Sequence, residues 1–211
     1  YTHDLMRAYC SNVTTDDDAF DYSLSPADYN IISIGRLDKP YIYPMFEEIA
    51  NFAKRVSWKK INVIVIGGSP DGSVENRIRQ LFDDIKNVSL YLYGYLFPIP
   101  TKLLLQADVS IAMANSVLVT SDLGIPTIVL DIHDLQPIGI YKRTTSNQFS
   151  RDSEPIQSIS ELLNEILIES KYTKIPPKVI DVNNVLEEVF GKQIKFLNLS
   201  CYPHQSKYYH L

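Results

Sequence analysis

The sequence has few of the features that mark membrane-spanning, secreted or nucleic-acid-binding proteins. No apolar stretch reaches the roughly 18 residues that a helix needs to cross a bilayer. The 211 residues include two cysteines, Cys10 and Cys201, which are too few for a disulfide framework. The net charge is −5, and no concentrated basic run occurs. We therefore expect a globular protein of a reducing, cytoplasmic compartment that does not bind nucleic acid.

The common short motifs of enzymes are also missing. The chain contains no G-x-S-x-G, H-E-x-x-H or C-x-x-C. The segment "GGSPDGS" at 67–73 has neither the spacing of a dinucleotide-binding loop nor the ending of a P-loop. Asp131, His133 and Asp134 stand together, but one histidine between two aspartates is more typical of a polar loop than of a metal site. We therefore expect no metal.

What the sequence does contain is a regular alternation of two patterns. Short apolar runs rich in β-branched residues alternate with amphipathic stretches of helical spacing. The runs predict strands at 30–35, 61–68, 88–94, 108–114 and 126–131, and the stretches predict helices at 44–57, 73–86, 101–107, 116–124, 158–170 and 181–192. A short strand is also expected at 139–141, and Ser73, Ser158 or Ser160, and Asp181 are candidate N-caps. This order predicts an α/β fold, a Rossmann-like parallel sheet with helices on both faces.

In such a sheet the ligand binds beyond the carboxyl ends of the strands. The first strand ends in "GRLDK", where Gly35 permits a tight turn and Arg36 and Lys39 supply two cations three residues apart. A planar guanidinium and an ammonium suit a diphosphate. The alternative is that both cations are ordinary surface charges on a turn.

Two further loops are candidates for ligand contact. Gly68 and Ser69 follow the second strand, where the glycines serve either to turn the chain or to approach a ligand. Asn115 and Ser116 begin a helix, where exposed backbone N–H groups favour an anion or where the serine is simply a cap.

Five segments, taken in order, resemble a known family. They read "IISIGRLDKP", "INVIVIGG", "NVSLYLYGYL", "LLLQADVSIAMANS" and "LGIPTIVLD". Their order and spacing are similar to those of the C-terminal, donor-binding domain of GT-B glycosyltransferases, above all glycosyltransferase group 1 (family 4). The resemblance covers roughly residues 10–170, because "SNVTTDDDAF" also looks like the interdomain linker of that family.

The resemblance implies one half of a GT-B fold that binds a nucleotide-sugar, UDP- or GDP-linked, as substrate and needs no other cofactor. In the family the Gly-Arg-Leu motif and its lysine bind the diphosphate, the Gly-Tyr segment leads to the loop that holds the base, and the fourth strand and its helix contact ribose and sugar. The donor contacts expected here are Gly35, Arg36, Lys39, Gly68, Ser69, Leu96, Asn115 and Ser116. No catalytic residue is assigned.

The resemblance also implies a domain plan. Residues 1–28 are expected to be an interdomain linker or N-terminal extension, 29–170 the donor-binding domain, and 171–211 a C-terminal helix and tail that pack back on it. The sequence begins at Tyr1, and we expect it to be part of a longer protein whose acceptor-binding N-terminal domain is missing here. The full-length protein is expected to be a cytoplasmic hexosyltransferase of surface polysaccharide biosynthesis, with peripheral association at the inner face of the membrane. The isolated chain should not transfer sugar.

The chain departs from the family at its carboxylates. The family has two glutamates eight residues apart, and the second position falls on Val119; no glutamate occurs from Asn87 to Ser153. Lys39 is followed by proline instead of glycine. An alternative is therefore a non-catalytic GT-B-like module that recognises a partner protein or a glycan. A third is a sugar-nucleotide epimerase, although such enzymes use acidic and histidine groups that are few here.

Overall fold

A six-stranded sheet forms the centre of the molecule. The computed structural model of the chain describes residues 14–15 and 22–175. The strands are β1 (Thr14–Thr15), β2 (Tyr29–Ile34), β3 (Ile61–Ile66), β4 (Val88–Leu92), β5 (Ile99–Pro100), β6 (Val109–Met113), β7 (Thr127–Leu130) and β8 (Pro137–Ile140). The helices are α1 (Ile42–Arg55), α2 (Ser73–Phe82), α3 (Thr101–Leu104), α4 (Ser116–Ser121) and α5 (Ile159–Leu163), and α5 continues as one π-helical segment, Asn164–Ile168.

The sheet order is β4-β3-β2-β6-β7-β8, so β2 lies near the middle between β3 and β6. The first five strands of that order run parallel, and β8 pairs antiparallel with β7 at the edge. A separate two-stranded parallel sheet joins β1 to β5. The predicted α/β class with a Rossmann-like parallel sheet is confirmed, and the strand expected at 139–141 is found at Pro137–Ile140.

Helices cover both faces of this sheet, as the sequence predicted. Successive side chains of a strand point to opposite faces. On one face Ile31 and Val63 pack with residues of α1, α2 and α5. On the other face Ile32 and Ile64 pack with residues of α3 and α4. All six residues of β3 are buried and five of them are apolar, as expected for a strand covered on both sides.

The helix ends agree with the sequence in some places and not in others. Ser158 caps α5 in a reciprocal capping box with Glu161, which confirms one of the two predicted caps. The predicted cap at Ser73 is wrong: Gly72 is the N-cap of α2, in the left-handed conformation (φ 71°). The N–H and hydroxyl of Ser73 both donate to the Asp71 carboxylate, and no side chain caps this helix.

Helix α2 also ends earlier than predicted, at Phe82 instead of Lys86. The next residues form a turn in which the Ile85 N–H donates to the Phe82 carbonyl (3.0 Å) and Ile85 remains buried. The helical spacing therefore continued past the true end because the turn also places an apolar side chain in the core.

Several expectations fall outside the described residues: the helix at 181–192, the tail beyond it, and both cysteines. The predicted domain boundaries stay a prediction. Of the expected linker, residues 22–28 run along the sheet, and Asp28 accepts hydrogen bonds from the Lys60 N–H and Lys59 Nζ. No helix within the described ranges is both long and apolar enough to cross a membrane.

The packing of α1 on α2 gives a test of the core. Phe46 is fully buried, and its ring meets that of Phe82 edge to face, with centroids 6.3 Å apart. Phe46→Ala should lower the free energy of unfolding by about 3–5 kcal/mol, because it removes buried apolar area and leaves a cavity. Urea denaturation followed by circular dichroism measures this.

The matched control is Phe149→Ala, the same change at a side chain that is 44% exposed, with an expected loss below about 1 kcal/mol. Similar losses for the two variants would contradict the packing described here.

Candidate functional site

The loops after β2 and β3 are joined to each other by their backbones. The Gly35 N–H donates to the Ile66 carbonyl (2.9 Å), and the Leu37 N–H donates to the Gly68 carbonyl (3.1 Å). Gly67 has a φ of 137°, and a Cβ added there would lie 1.8 Å from the Gly35 carbonyl oxygen. Only glycine allows this approach, because any side chain would collide with a backbone atom.

The segment after β4 closes on the same place. The Gly67 N–H donates to the Gly94 carbonyl (2.7 Å), and the Tyr95 hydroxyl donates to the Gly68 carbonyl (2.6 Å). The Tyr95 ring also lies against Gly68, since a Cβ there would be 2.8 Å from Cε2 of the ring. Tyr95 is nevertheless 67% exposed. Three consecutive strand-end loops therefore meet at Gly35, Gly68 and Tyr95.

The two predicted phosphate-binding cations are exposed beside this junction. Arg36 forms a two-pronged ion pair with Asp38, Nε to Oδ1 at 3.0 Å and Nη2 to Oδ2 at 2.6 Å. The hydrogen bond to Arg36 lowers the pKa of Asp38 and raises the pKa of Arg36. Lys39 is exposed on the same loop, and its charge also helps to lower the pKa of Asp38. The guanidinium of Arg36, called the fork below because two of its nitrogens donate in parallel, is thus already bonded to the Asp38 carboxylate.

Ser69 in the second loop is buried and its side chain is engaged. Its N–H donates to Oε1 of Glu75 (2.8 Å), and its hydroxyl donates to the other oxygen of the same carboxylate. Burial acts to raise the pKa of Glu75, but the hydrogen bonds from Ser69 outweigh it and the pKa is lowered. The carboxylate of Glu75 therefore holds the backbone of the second loop in place at Ser69.

The loop after β6 lies beside the first loop but is separate from this junction. Strands β6 and β2 pair in parallel, so Asn115 and Ser116 lie at the carboxyl ends of the strands, as Arg36 does. The Ser116 hydroxyl donates to the Met113 carbonyl (2.7 Å), and Asn115 is exposed without a side-chain cap bond. Among the described residues, no hydrogen bond joins either one to the first three loops. Leu96, the last predicted contact, is partly buried against the core on the α3 and α4 face.

The loop after β7 is organised by Asp131. Its buried carboxylate accepts hydrogen bonds from the backbone N–H groups of His133 (2.6 Å), Asp134 (3.3 Å) and Arg151 (2.7 Å). Burial acts to raise the pKa of Asp131, but these hydrogen bonds lower it overall. This bonding agrees with the interpretation of 131–134 as a polar loop. No group of three His, Cys, Asp or Glu side chains in the described ranges could hold a metal ion.

Four residues near the junction were not among the predicted contacts: Asp38, Tyr41, Glu75 and Tyr95. Tyr41 is buried and its hydroxyl lies 3.2 Å from the position of a Cβ on Gly35, and burial raises its pKa. Asp38 lies two residues after Arg36 and Tyr95 directly before Leu96, so their signal in the sequence is their proximity to predicted contacts. Glu75 carried no signal, because its bond to Ser69 depends on how the loop folds back.

Val119, the position of the family's second glutamate, lies in α4 and is buried in the core. It is 6% exposed and packs among the residues on the α3 and α4 face of the sheet. The side chain at this position therefore contributes to packing.

Solved structures share this architecture. No known family model and no curated protein matches the sequence. The pneumococcal O-GlcNAc transferase GtfA, solved in complex with UDP and GlcNAc, is similar in structure with a TM-score of 0.53 at 13% identity. The UDP-GlcNAc 2-epimerase from Neisseria meningitidis, solved with UDP-GlcNAc bound, gives a TM-score of 0.52 at 15% identity.

These matches cover most of this chain and a minority of each neighbour. They include 88% of this chain and 38% of the transferase, and 89% of this chain and 49% of the epimerase. The resemblance to a GT-B domain is thereby confirmed for the fold: the chain shares the Rossmann-like architecture of these structures.

The contact between the first two loops can be tested by giving Gly67 a side chain. Gly67→Ala should lower the free energy of unfolding by about 3 kcal/mol or more, because the new Cβ must displace a backbone carbonyl. Gly72→Ala is the matched control: φ is also positive there (71°), but nothing lies within 4 Å of an added Cβ. The control should show only the backbone strain of about 1–2 kcal/mol. Equal losses in urea denaturation would mean that the loops do not meet as described.

Proposed function

We propose that the chain is the donor-binding half of a glycosyltransferase and binds a UDP- or GDP-sugar at the junction of the loops after β2, β3 and β4. The observation that supports it best is the placement of Arg36 at the carboxyl edge of a parallel sheet, where such folds bind their ligands. Lys39 adds a second cation to the same loop. Together they suit the two charges of a diphosphate leaving group.

The bound state requires an exchange at Arg36. The guanidinium now pairs with Asp38, and a diphosphate entering the fork would take the place of that carboxylate. Such an exchange is feasible because the pair is exposed, the side chains of Arg36 and Asp38 being 61% and 32% accessible. Exposed ion pairs contribute only about 0–1 kcal/mol, whereas charge-assisted bonds to phosphate contribute about 1.5–3 kcal/mol.

The other predicted contacts take different roles in this proposal. Gly35 allows close approach of the backbone to the diphosphate, and Gly68 leaves the space that the ring of Tyr95 occupies. Ser69 supports the loop through Glu75. We assign the base to the exposed surface beside Tyr95 and Leu96, and the ribose and sugar to the side of Asn115 and Ser116.

The rest of the enzyme would be supplied by a part of the protein outside this chain. The two neighbours are two to three times longer than the region they share with it. We propose that an N-terminal domain binds a glycan or lipid-linked acceptor, and that residues 29–170 act as the donor-binding unit. A cytoplasmic enzyme of surface polysaccharide synthesis with hexosyltransferase activity fits this plan, and the isolated chain should be inactive.

Two other functions have specific support. The occupied fork of Arg36 and the buried Val119 favour a module that binds a partner protein or glycan without catalysis. The epimerase neighbour has the same fold. However, His133 is the one histidine in the described part of the chain, and its backbone N–H is bonded within its own loop.

The first test is calorimetric titration of UDP and GDP, alone and as sugar conjugates, into the purified chain. We expect binding by at least one of them. Arg36→Ala should weaken it roughly tenfold or more, because a charge-assisted bond to phosphate is lost. Arg79→Ala, which removes an exposed arginine of α2, should leave it unchanged. Absence of binding at millimolar concentration would exclude the donor-binding role.

A partner protein captured by the chain and retained by Arg36→Ala would instead favour the non-catalytic module. Conversion of UDP-GlcNAc to a C2 epimer by the full-length protein, without transfer, would favour the epimerase.

The second test concerns the exchange at Arg36. Asp38→Asn should strengthen binding of the diphosphate about two- to fivefold, because it removes a competing anion from the fork and a repulsive charge from the site. Asp83→Asn is the control with the same net charge, since Asp83 is an exposed acid just after α2. Weaker binding by Asp38→Asn would show that Asp38 orients Arg36 for the ligand instead of competing with it.

A further inference from the structure

A group of lysines around an exposed tryptophan lies at the amino ends of the strands, on the opposite side of the sheet from the strand-end loops. Lys54, Trp58, Lys59, Lys60 and Lys86, here called the lysine–tryptophan patch, line one open cavity of about 550 Å³. They come from the end of α1, the turn before β3 and the turn before β4. In a parallel sheet, the amino ends of the strands face away from the carboxyl ends, so the patch is remote from Arg36.

The patch is positive although the chain as a whole is negative. Its four ammonium groups face two carboxylates: Asp84 in the same cavity wall, and Asp28, which pairs with Lys59 at 3.0 Å. Lys54, Lys60 and Lys86 are exposed and have no ion-pair partner among the residues that the structure describes. In a protein of net charge −5, this concentration of unpaired cations defines a surface for an anionic partner.

Trp58 adds an apolar contact at the centre of these charges. It is 70% exposed and is the only tryptophan of the 211 residues. Its chain neighbours Lys59 and Lys60 keep the surrounding surface polar. Tryptophan between cations is typical of the boundary between lipid headgroups and acyl chains, where the apolar ring and the indole N–H are both satisfied.

The kind of cation favours a diffuse anionic surface over a compact ligand. All cations of the patch are lysines, which act as mobile point charges on flexible stems. A site for one phosphate or carboxylate is better served by the rigid two-pronged fork of arginine. An array of lipid phosphates fits separated lysines better, because each ammonium can find its own headgroup.

We propose that the lysine–tryptophan patch docks the protein on an anionic lipid bilayer, with Trp58 among the headgroups and the lysines against the lipid phosphates. Docking there leaves the loops after β2, β3 and β4 open to solvent. The proposal does not depend on nucleotide-sugar binding, because the two surfaces share no residue.

The single tryptophan reports on docking directly. The 211-residue chain is mixed with two kinds of vesicle. One contains phosphatidylcholine alone, and the other contains phosphatidylcholine with roughly 30–50% of the anionic lipid phosphatidylglycerol, to which surface lysines bind. We expect Trp58 emission to shift to shorter wavelength, and the protein to sediment, only with the anionic vesicles. Lys60→Gln/Lys86→Gln should weaken vesicle binding roughly tenfold or more, because each lysine at such a surface contributes several-fold.

Matched variants distinguish binding through the patch from the effect of net charge and from the effect of any exposed apolar side chain. Lys142→Gln/Lys171→Gln gives the same net charge but removes lysines of exposed ion pairs elsewhere, and should bind like the original protein. Trp58→Ser should reduce sedimentation, whereas Ile156→Ser, at a side chain 78% exposed, should not.

Unchanged Trp58 emission with anionic vesicles would overturn the proposal. So would equal weakening by both lysine pairs, which would indicate attraction to net charge alone. A soluble polyanion such as polyglutamate that shifts the emission as strongly as vesicles do would also overturn it, and would identify an acidic macromolecule as the partner.

Discussion

The parallel pairing of β2 with β3 is the constraint on which the rest of the structure depends. Six consecutive residue pairs join the two strands, from Tyr29 with Ile61 to Ile34 with Ile66. The pairing continues past the strand ends through the hydrogen bonds of Gly35 and Leu37. The first two loops therefore leave the sheet together, and the third is held by Gly94 and Tyr95. A shift of one residue in this register would separate the loops and turn every buried side chain of β2 to the other face.

Much of the fold could be predicted from the sequence because the strands and helices have strong local patterns. The run Ile61–Ile66 is short and rich in β-branched residues, which favours a strand covered on both faces, and Ser158 with Glu161 has the sequence pattern of a capping box. The end of α2 was not predictable in the same way, since Ile85 keeps the helical spacing although it lies in a turn. The N-cap at Gly72 was also not predictable, because Ser73 bonds to Asp71 instead of capping the helix, and residue preferences do not decide between these two local hydrogen bonds.

The location of the candidate site could be predicted from the sequence, but most of its interactions could not. The predicted order of strands and helices indicated the carboxyl ends of the strands, and Gly35, Arg36 and Gly68 lie together there. The bond of Glu75 to Ser69 and the ring of Tyr95 on Gly68 could not be derived, because both bring together residues of loops whose conformations the sequence does not specify. The same holds for the lysine–tryptophan patch: Lys86 lies 26 positions after Lys60, so the cations form a group only after folding.

The ion pair of Arg36 with Asp38 has a consequence for selectivity. A small monoanion would have to replace the two hydrogen bonds that the Asp38 carboxylate already accepts from Arg36, and acetate would at best replace them by two equivalent bonds. Only an anion with a higher local charge density, or one that reaches a second cation at the same time, gains free energy by the exchange. Because exposed ion pairs contribute only about 0–1 kcal/mol, the internal carboxylate sets a small threshold, which an incoming anion must exceed to occupy the guanidinium of Arg36.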